Sequence, residues 1–219
     1  MSHIAPEIIP AILVHSLQEA RDAWTMVGDA EWVQLDCLDG SLAPNTSFFD
    51  AHDWPTDGPM IELHIMTNRP RQVIEAWADH PLCKRAVWHL ESHTDHEELI
   101  RWCHEHNLEA GIAINPDTPL AQAFSLFPHV DLLLLLGVQP GWSGQPFIPT
   151  VMDKLRAAHA SEPNLRLGID GGVTEERIPE LVLAGVSHFY VGSQIFHHEH
   201  RTPAAALQQF TRLAHDASI

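Results

Sequence analysis

Lysine is nearly missing from this sequence: only Lys84 and Lys154 occur, and 12 basic residues face 29 acidic ones for a formal charge of −17. A surface of that sign repels nucleic acid and anionic membrane, so neither is expected as a partner. A phosphorylated ligand would have to be held mainly by backbone N–H groups and helix N-termini. Cysteine is scarce as well. Cys37, Cys83 and Cys103 are odd in number and show no CxxC spacing, which excludes a disulfide framework and a cysteine zinc site and leaves reduced thiols. Long apolar runs are also absent. The longest, Val130 to Val138, carries Asp131 near its start and falls well short of the roughly 18 residues that span a bilayer. Met1-Ser2-His3 lacks the basic-then-apolar layout of a secretory signal, so a cytoplasmic protein is expected.

What is present is core material. With 45% of 219 residues hydrophobic, and with no Pro/Ser-rich linker to divide it, the chain reads as one domain over residues 1–219. The 17 histidines lie mostly in helical or tail segments, among them His93, His96, His104, His106, His197, His198 and His200, and read as surface polarity.

Short apolar runs alternate with stretches of helical spacing. Strands are expected at Ile8–Leu13, Trp32–Leu35, Met60–His64, Arg85–Trp88 (ending at His89 and Glu91), Ala110–Ile114, Val130–Leu136, Leu165–Ile169 and Phe189–Val191. Helices are expected at Leu17–Val27 with Ser16 as cap, from Pro70 with Val73, Ile74 and Trp77 on its buried face, and at Thr94–His106, Pro149–His159 and about Pro203–His215. Short helices are expected at Phe48–His52 and Pro119–Phe124, and Thr174 is expected to cap one more. Eight strand-then-helix units predict a single (β/α)₈ barrel, a TIM barrel in the α/β class.

In that architecture the C-terminal ends of all strands open onto one mouth. Val33-Gln34-Leu35-Asp36-Cys37-Leu38-Asp39-Gly40 delivers a carboxylate there, Met60–His64 a histidine, and Leu165–Asp170 a second carboxylate. Asp36, His64 and Asp170 suit proton abstraction next to a carbonyl. A carboxylate with an ordinary pKa of about 3.9 is too weak a base for a C–H bond unless the developing enediolate is stabilised. These residue types can hold a divalent metal that does so. Two acids, one on each face of a planar intermediate, remove a proton from one side and return it on the other, which is an epimerisation. The glycine segments Gly141-Trp142-Ser143-Gly144-Gln145, Gly171-Gly172 and Gly192-Ser193 offer unencumbered N–H groups for a phosphate.

Seven segments, in order, resemble the motifs of the ribulose-phosphate 3-epimerase family: Ile9-Pro10-Ala11-Ile12-Leu13, Gln34 to Gly40 with Pro44-Asn45, Leu63-His64-Ile65-Met66, Asn115-Pro116-Asp117-Thr118-Pro119, Gln139 to Phe147, Ile169-Asp170-Gly171-Gly172 and Gly192 to Phe196. The resemblance runs from about Ile8 to Phe196. It implies a barrel that interconverts ribulose 5-phosphate and xylulose 5-phosphate, with a divalent metal (zinc, manganese, iron or cobalt) held by two histidines and two aspartates. Asp36 and Asp170 match the catalytic aspartates, which also bind the metal, His64 matches a metal histidine, and Met66 matches a methionine lining the reaction centre. Gln34 stands where the family has its first metal histidine and would be a weaker ligand. Ala11 stands for a serine, and Leu38 and Leu136 for two methionines.

The expected partner is therefore a phosphorylated ketose, and barrels of this kind pair or form rings, so a homo-oligomer of unspecified size is expected. The competing reading is a non-catalytic sugar-phosphate-binding relative that has lost its metal site. A decarboxylase or aldolase of the same superfamily is disfavoured, because Asp36-Cys37-Leu38-Asp39 holds no lysine between its acids.

Overall fold

Eight parallel strands close on themselves in chain order, as a computed structural model that describes residues 4–27, 30–142 and 144–218 shows. They are β1 (Glu7–Ile12), β2 (Trp32–Leu38), β3 (Met60–Met66), β4 (Cys83–His89), β5 (Glu109–Ile114), β6 (Leu132–Leu136), β7 (Arg166–Asp170) and β8 (His188–Val191). The helices are α1 (Leu17–Met26), α2 (Pro70–Trp77), α3 (His96–Glu105), α4 (Val151–Ser161), α5 (Ile178–Leu183), α6 (Ser193–Phe196) and α7 (Pro203–Ala217). The expected (β/α)₈ barrel is thus the observed fold. Among the described residues no helix is long and apolar enough to cross a membrane.

Several local expectations need correction. β2 does not stop at Leu35 but continues to Leu38, so Asp36 sits on strand backbone and not in a loop, and β3 continues two residues past His64 to Met66. Phe48–His52 is not a helix. Asp50 accepts the His52 N–H at 3.0 Å, and the Trp77 indole donates to the Phe49 carbonyl at 3.0 Å, so the backbone bonds a helix would need go elsewhere. Between β2 and β3 the helical layer is replaced by an aromatic plug, with buried Trp54 edge-on to Trp24 of α1 and to Trp77 of α2. Pro119–Phe124 forms only the 3₁₀ turn Leu120–Ala123, so the rhythm of eight full units fails at two links. Thr174 precedes a 3₁₀ turn, Glu175–Arg177, and accepts the Arg177 N–H with its carbonyl at 3.0 Å, but its side chain makes no cap bond. His96, expected on the surface, is half-buried, accepting from the Trp88 indole at 3.1 Å and bonding the Leu90 carbonyl at 3.1 Å.

Side chains of a strand alternate between faces, and this period of two sorts the chain into two cores. Val33, Leu35, Cys37, Ile61, Leu63 and Ile65 face outward under the helices. Inside the barrel, Ile9, Ala11, Val87, Ala113, Leu132, Leu134 and Leu136 form an apolar layer with the Tyr190 ring. Below it lies an ionic floor. Arg85 bonds Glu62 at 2.6 Å and Glu109 at 2.7 Å, Arg166 clamps both oxygens of Glu109, and the Tyr190 hydroxyl donates to Glu62 at 2.9 Å. The Arg85 guanidinium also lies over the Trp32 ring at 4.4 Å.

Removing one partner of a buried ion pair strands the other charge. Arg85→Met is therefore expected to cost about 3–5 kcal/mol in urea denaturation, and adding Glu62→Gln to it should recover part of that loss. His188 adds a pH dependence at the same floor. Burial, reinforced by the Arg85 and Arg166 charges, pushes its imidazole down to about 3, so it stays neutral in the fold. The unfolded chain binds a proton below about pH 6.5 that the folded chain refuses, and stability falls as pH drops from there toward 3. His188→Gln should flatten this slope, by up to about 1.4 kcal/mol per pH unit, in melts between pH 6.5 and 5.

Candidate active site

Gln34 and Asp36 are two apart on β2 and therefore share the barrel's inner face. The parallel register sets Asp36 beside His64 of β3, and Leu136 of β6 beside Asp170 of β7. Asp36 and Asp170 thus approach from strands with β1 and β8 between them. His64 Nδ1 lies 3.0 Å from Asp36 Oδ1 and 3.2 Å from Asp170 Oδ2. The Gln34 amide nitrogen joins the same group, donating to Asp36 Oδ1 and Asp170 Oδ2 at 3.0 Å each and lying 3.3 Å from His64 Nδ1.

Bringing two carboxylates to one point inside a barrel raises the electrostatic cost of ionising them, and the neighbours respond. Burial works against a charge on His64, but its hydrogen bonds to Asp170 and Asp36 prevail and raise its pKa to about 10. Burial, helped by the Asp170 charge, lifts the Asp36 carboxyl above the ordinary range against the pull of His64 and Gln34. An imidazolium between two acids is the resulting charge pattern.

The donor set also fits a divalent metal. One oxygen from each aspartate and Nδ1 of His64 all lie within 4.8 Å of one another. Gln34 adds a further observation, because its Oε1 is buried without a hydrogen-bond partner while its nitrogen takes both carboxylates. A half-turn of the amide exchanges the two atoms. With only carboxylates to face, the nitrogen must point inward; with a cation among the donors, the oxygen would. Gln34 is thus a group able to serve either state.

Above these side chains opens a cavity of about 870 Å³, whose lining includes Asp36, His64 and Asp170. Met66, Gly141, Trp142, Gly144, Gln145, Gly171, Gly172, Gly192 and Ser193 line it too, whereas Gln34 lies beneath, fully buried. Ser143 falls outside the described residues. Ala11 and Leu136 also reach the cavity, while Leu38 packs with Ala43 and Met66 beside it. Trp142 is 57% exposed at the rim. The Gln145 amide turns back to donate to the Gln139 and Trp142 carbonyls at 2.7 and 2.9 Å, so it holds its own loop together. Asn45 ties that loop to the one after β2 by donating to the Gly141 carbonyl at 2.8 Å.

The glycines after β7 have a steric reason. Gly171 has φ +92°, and a Cβ there would lie 2.4 Å from a Val138 methyl; Gly172 has φ +68° with Phe147 backbone at 2.7 Å. Both features demand glycine, and the two residues line the cavity without side chains. Among the described residues lining the cavity there is no lysine or arginine, in keeping with the charge of the whole chain.

Two residues of the site had no role in the sequence reading. His89 is fully buried beside His64, ring to ring at 5.2 Å between centroids, and Glu91 follows it. The alternation Arg85, Val87, His89 on β4 carried the signal, since every second residue of that strand points inward.

Comparison with known proteins agrees with this geometry. The model of the ribulose-phosphate 3 epimerase family matches residues 3–196. The chain is 31% identical to a ribulose-phosphate 3-epimerase of Mycobacterium bovis, over 98% of this chain and 95% of that protein. It is 30% identical to the ribulose-phosphate 3-epimerase of Bacillus subtilis, over 93% and 96%. A solved structure of 3-hexulose-6-phosphate synthase from Salmonella typhimurium matches with a TM-score of 0.69 at 15% identity, covering 96% of this chain and 99% of that one, and so shares the fold.

Since imidazole is a better ligand than a neutral amide, Gln34→His is expected to tighten zinc or cobalt binding about tenfold or more. Calorimetric titration of the metal-free protein checks this, and equal affinities would mean that Gln34 does not reach the ion.

Proposed function

The chain belongs to the ribulose-phosphate 3-epimerase family, and from that membership we propose that it inverts the carbinol centre next to the carbonyl of a phosphorylated ketose, ribulose 5-phosphate or a close analogue. Asp36 and Asp170 are the acid and base. One observation carries this reading: carboxylate oxygens from two separate strands converge on the same two groups, the Gln34 amide and His64 Nδ1, at the floor of the cavity. A carbon above that floor has a carboxylate toward each of its faces.

Proton removal from such a carbon needs the enediolate charge to be met in the same step. With no cation bound, His64, held positive by its two carboxylates, supplies that charge. A divalent cation, with zinc, manganese, iron or cobalt as candidates, held by Asp36, His64 and Asp170 and more weakly by Gln34, would supply Lewis-acid stabilisation of the enediolate oxygens. Burial and the neighbouring Asp170 favour a proton on Asp36, which suits it to act as the acid in one direction and, by reversibility, as the base in the other. Met66 borders the reacting end as an apolar wall. Backbone groups of Gly141, Gly144, Gly171, Gly172, Gly192 and Ser193, beside Trp142 and with Gln145 holding the loop in shape, receive the phosphate, and they do so without a cationic side chain.

A non-catalytic sugar-phosphate binder is the second reading, favoured by the Gln34 amide that bridges the two carboxylates. The two readings part in deuterated water. Wild-type protein given ribulose 5-phosphate, with and without added metal, is expected to form xylulose 5-phosphate; no turnover under either condition would leave the binder. Asp36→Asn and Asp170→Asn should each lower epimerisation by about 10²–10⁴-fold. Each should still exchange the C3 hydrogen of one epimer, and the surviving epimer should differ between the two variants.

A further inference from the structure

We propose that Glu91, acting through His89, fixes which ring nitrogen of His64 faces Asp36 and Asp170, making His89 and Glu91 positioning residues of the site. The proposal rests on the reading of His64 given above and extends it one layer outward.

His64 and His89 meet Nε2 to Nε2 at 3.0 Å, with rings inclined by only 16°. Two imidazole nitrogens at that separation share one proton, donated by one ring and accepted by the other. Which ring donates is decided on the far side of His89. Its Nδ1 lies 3.3 Å from Glu91 Oε2. The other Glu91 oxygen accepts the Asn115 backbone N–H at 3.1 Å and the Thr118 hydroxyl. Burial opposes ionisation of Glu91, but the bonds from His89 and Thr118 prevail and bring its carboxyl down to about 2, so it is an acceptor only. His89 must therefore donate from Nδ1.

His89 is fully buried with a single carboxylate beside it, and burial disfavours a charged imidazole, so the ring is neutral. A neutral ring with its proton on Nδ1 has a lone pair on Nε2. The shared proton then belongs to His64 Nε2, and His64 Nδ1 is the atom presented to Asp36 and Asp170. That atom carries a lone pair when the ring is neutral, as a metal ligand requires, and a proton when the ring is charged. The outward hydrogen bond of a ligating histidine governs orientation and tautomer in this manner generally.

The anchor of the chain is rigid. Lys154 of α4 donates to the carbonyls of Asn115, Pro116 and Thr118 at 3.0, 2.7 and 2.7 Å, pinning the loop after β5 that grips Glu91. This gives Asn115-Pro116-Asp117-Thr118-Pro119, singled out in the sequence without a task, a place in the site.

The test is the tautomer itself, read by long-range ¹H–¹⁵N spectra of protein labelled in histidine, with His64 and His89 assigned from single substitutions. Wild-type protein should show His89 protonated at Nδ1 and His64 protonated at Nε2. In Glu91→Gln the amide oxygen is claimed by two donors, Asn115 N–H and Thr118 O–H, so the NH₂ group faces His89. His89 should then move its proton to Nε2, His64 should lose its own Nε2 proton, and zinc or cobalt affinity should fall by about 10–100-fold. His89→Gln, whose oxygen can accept from His64 while its NH₂ donates to Glu91, should keep affinity close to wild type, whereas His89→Leu should not. A wild-type His89 protonated at Nε2 would overturn the proposal, as would unchanged tautomers and affinity in Glu91→Gln. Should Glu91→Gln not fold, equal metal affinities of His89→Gln and His89→Leu would overturn it as well. The wild-type spectrum needs no turnover, so it reads the relay even if the protein proves inactive on every ketose phosphate tried.

Discussion

Two carboxylates drawn to one point inside a closed barrel are the constraint on which this structure turns. Like charges at that range cannot coexist in a buried place unless something positive or hydrogen-donating stands between them. Here His64 Nδ1 and the Gln34 amide nitrogen do so, each within 3.3 Å of both Asp36 and Asp170. The same pressure that makes the pair costly makes it useful. Acids forced together differ in their hold on a proton, and a pair split in that way can give and take one across a carbon.

The rest of the barrel serves to make this crowding tolerable. Its lower end carries a second set of charges, Glu62 and Arg85 buried and Glu109 and Arg166 half-buried, closed by the Tyr190 hydroxyl. An apolar layer of Val87, Ala113, Leu132 and Leu134 separates the two polar groups. Outward, His64 donates its Nε2 hydrogen bond to His89, and the loop held by Lys154 braces Glu91. The upper cluster is thereby fixed from the side while staying open to the cavity. At the other end of the cavity, glycines with positive φ after β7 leave the lining free of side chains. Gln34 is where this chain departs from the pattern its family resemblance implies, and its orphaned Oε1 marks the departure physically.

Much of this was legible in the sequence because strands carry their own ruler. Eight apolar runs alternating with stretches of helical spacing predict the barrel, and residues at the C-terminal ends of those runs must meet at one mouth. Asp36, His64 and Asp170 are brought together accordingly. The misses have local causes. Asp36 read as a loop residue and His64 as the last of its strand because a polar side chain in an apolar run looks like a terminus, yet the barrel interior accepts polar groups that are paired, and both strands continue. The helix expected near Phe48 lost to bonds from Asp50 and Trp77, the second of which comes from a distant element that no local pattern contains. His89 and the ionic floor were missed for a similar reason. Their partners lie on other strands, and only closure of the barrel makes them neighbours.

At the centre of the account stands the claim that Asp36 and Asp170 address opposite faces of one carbon. Its most direct test is the position of label at early times, in wild-type protein turning over unlabelled ribulose 5-phosphate in deuterated water. Two acids on two faces predict xylulose 5-phosphate carrying about one deuterium at C3 while the remaining substrate is still unlabelled, because the proton returned is not the one removed. Product that keeps the substrate's own hydrogen would mean that a single group works on both faces, and would contradict the claim.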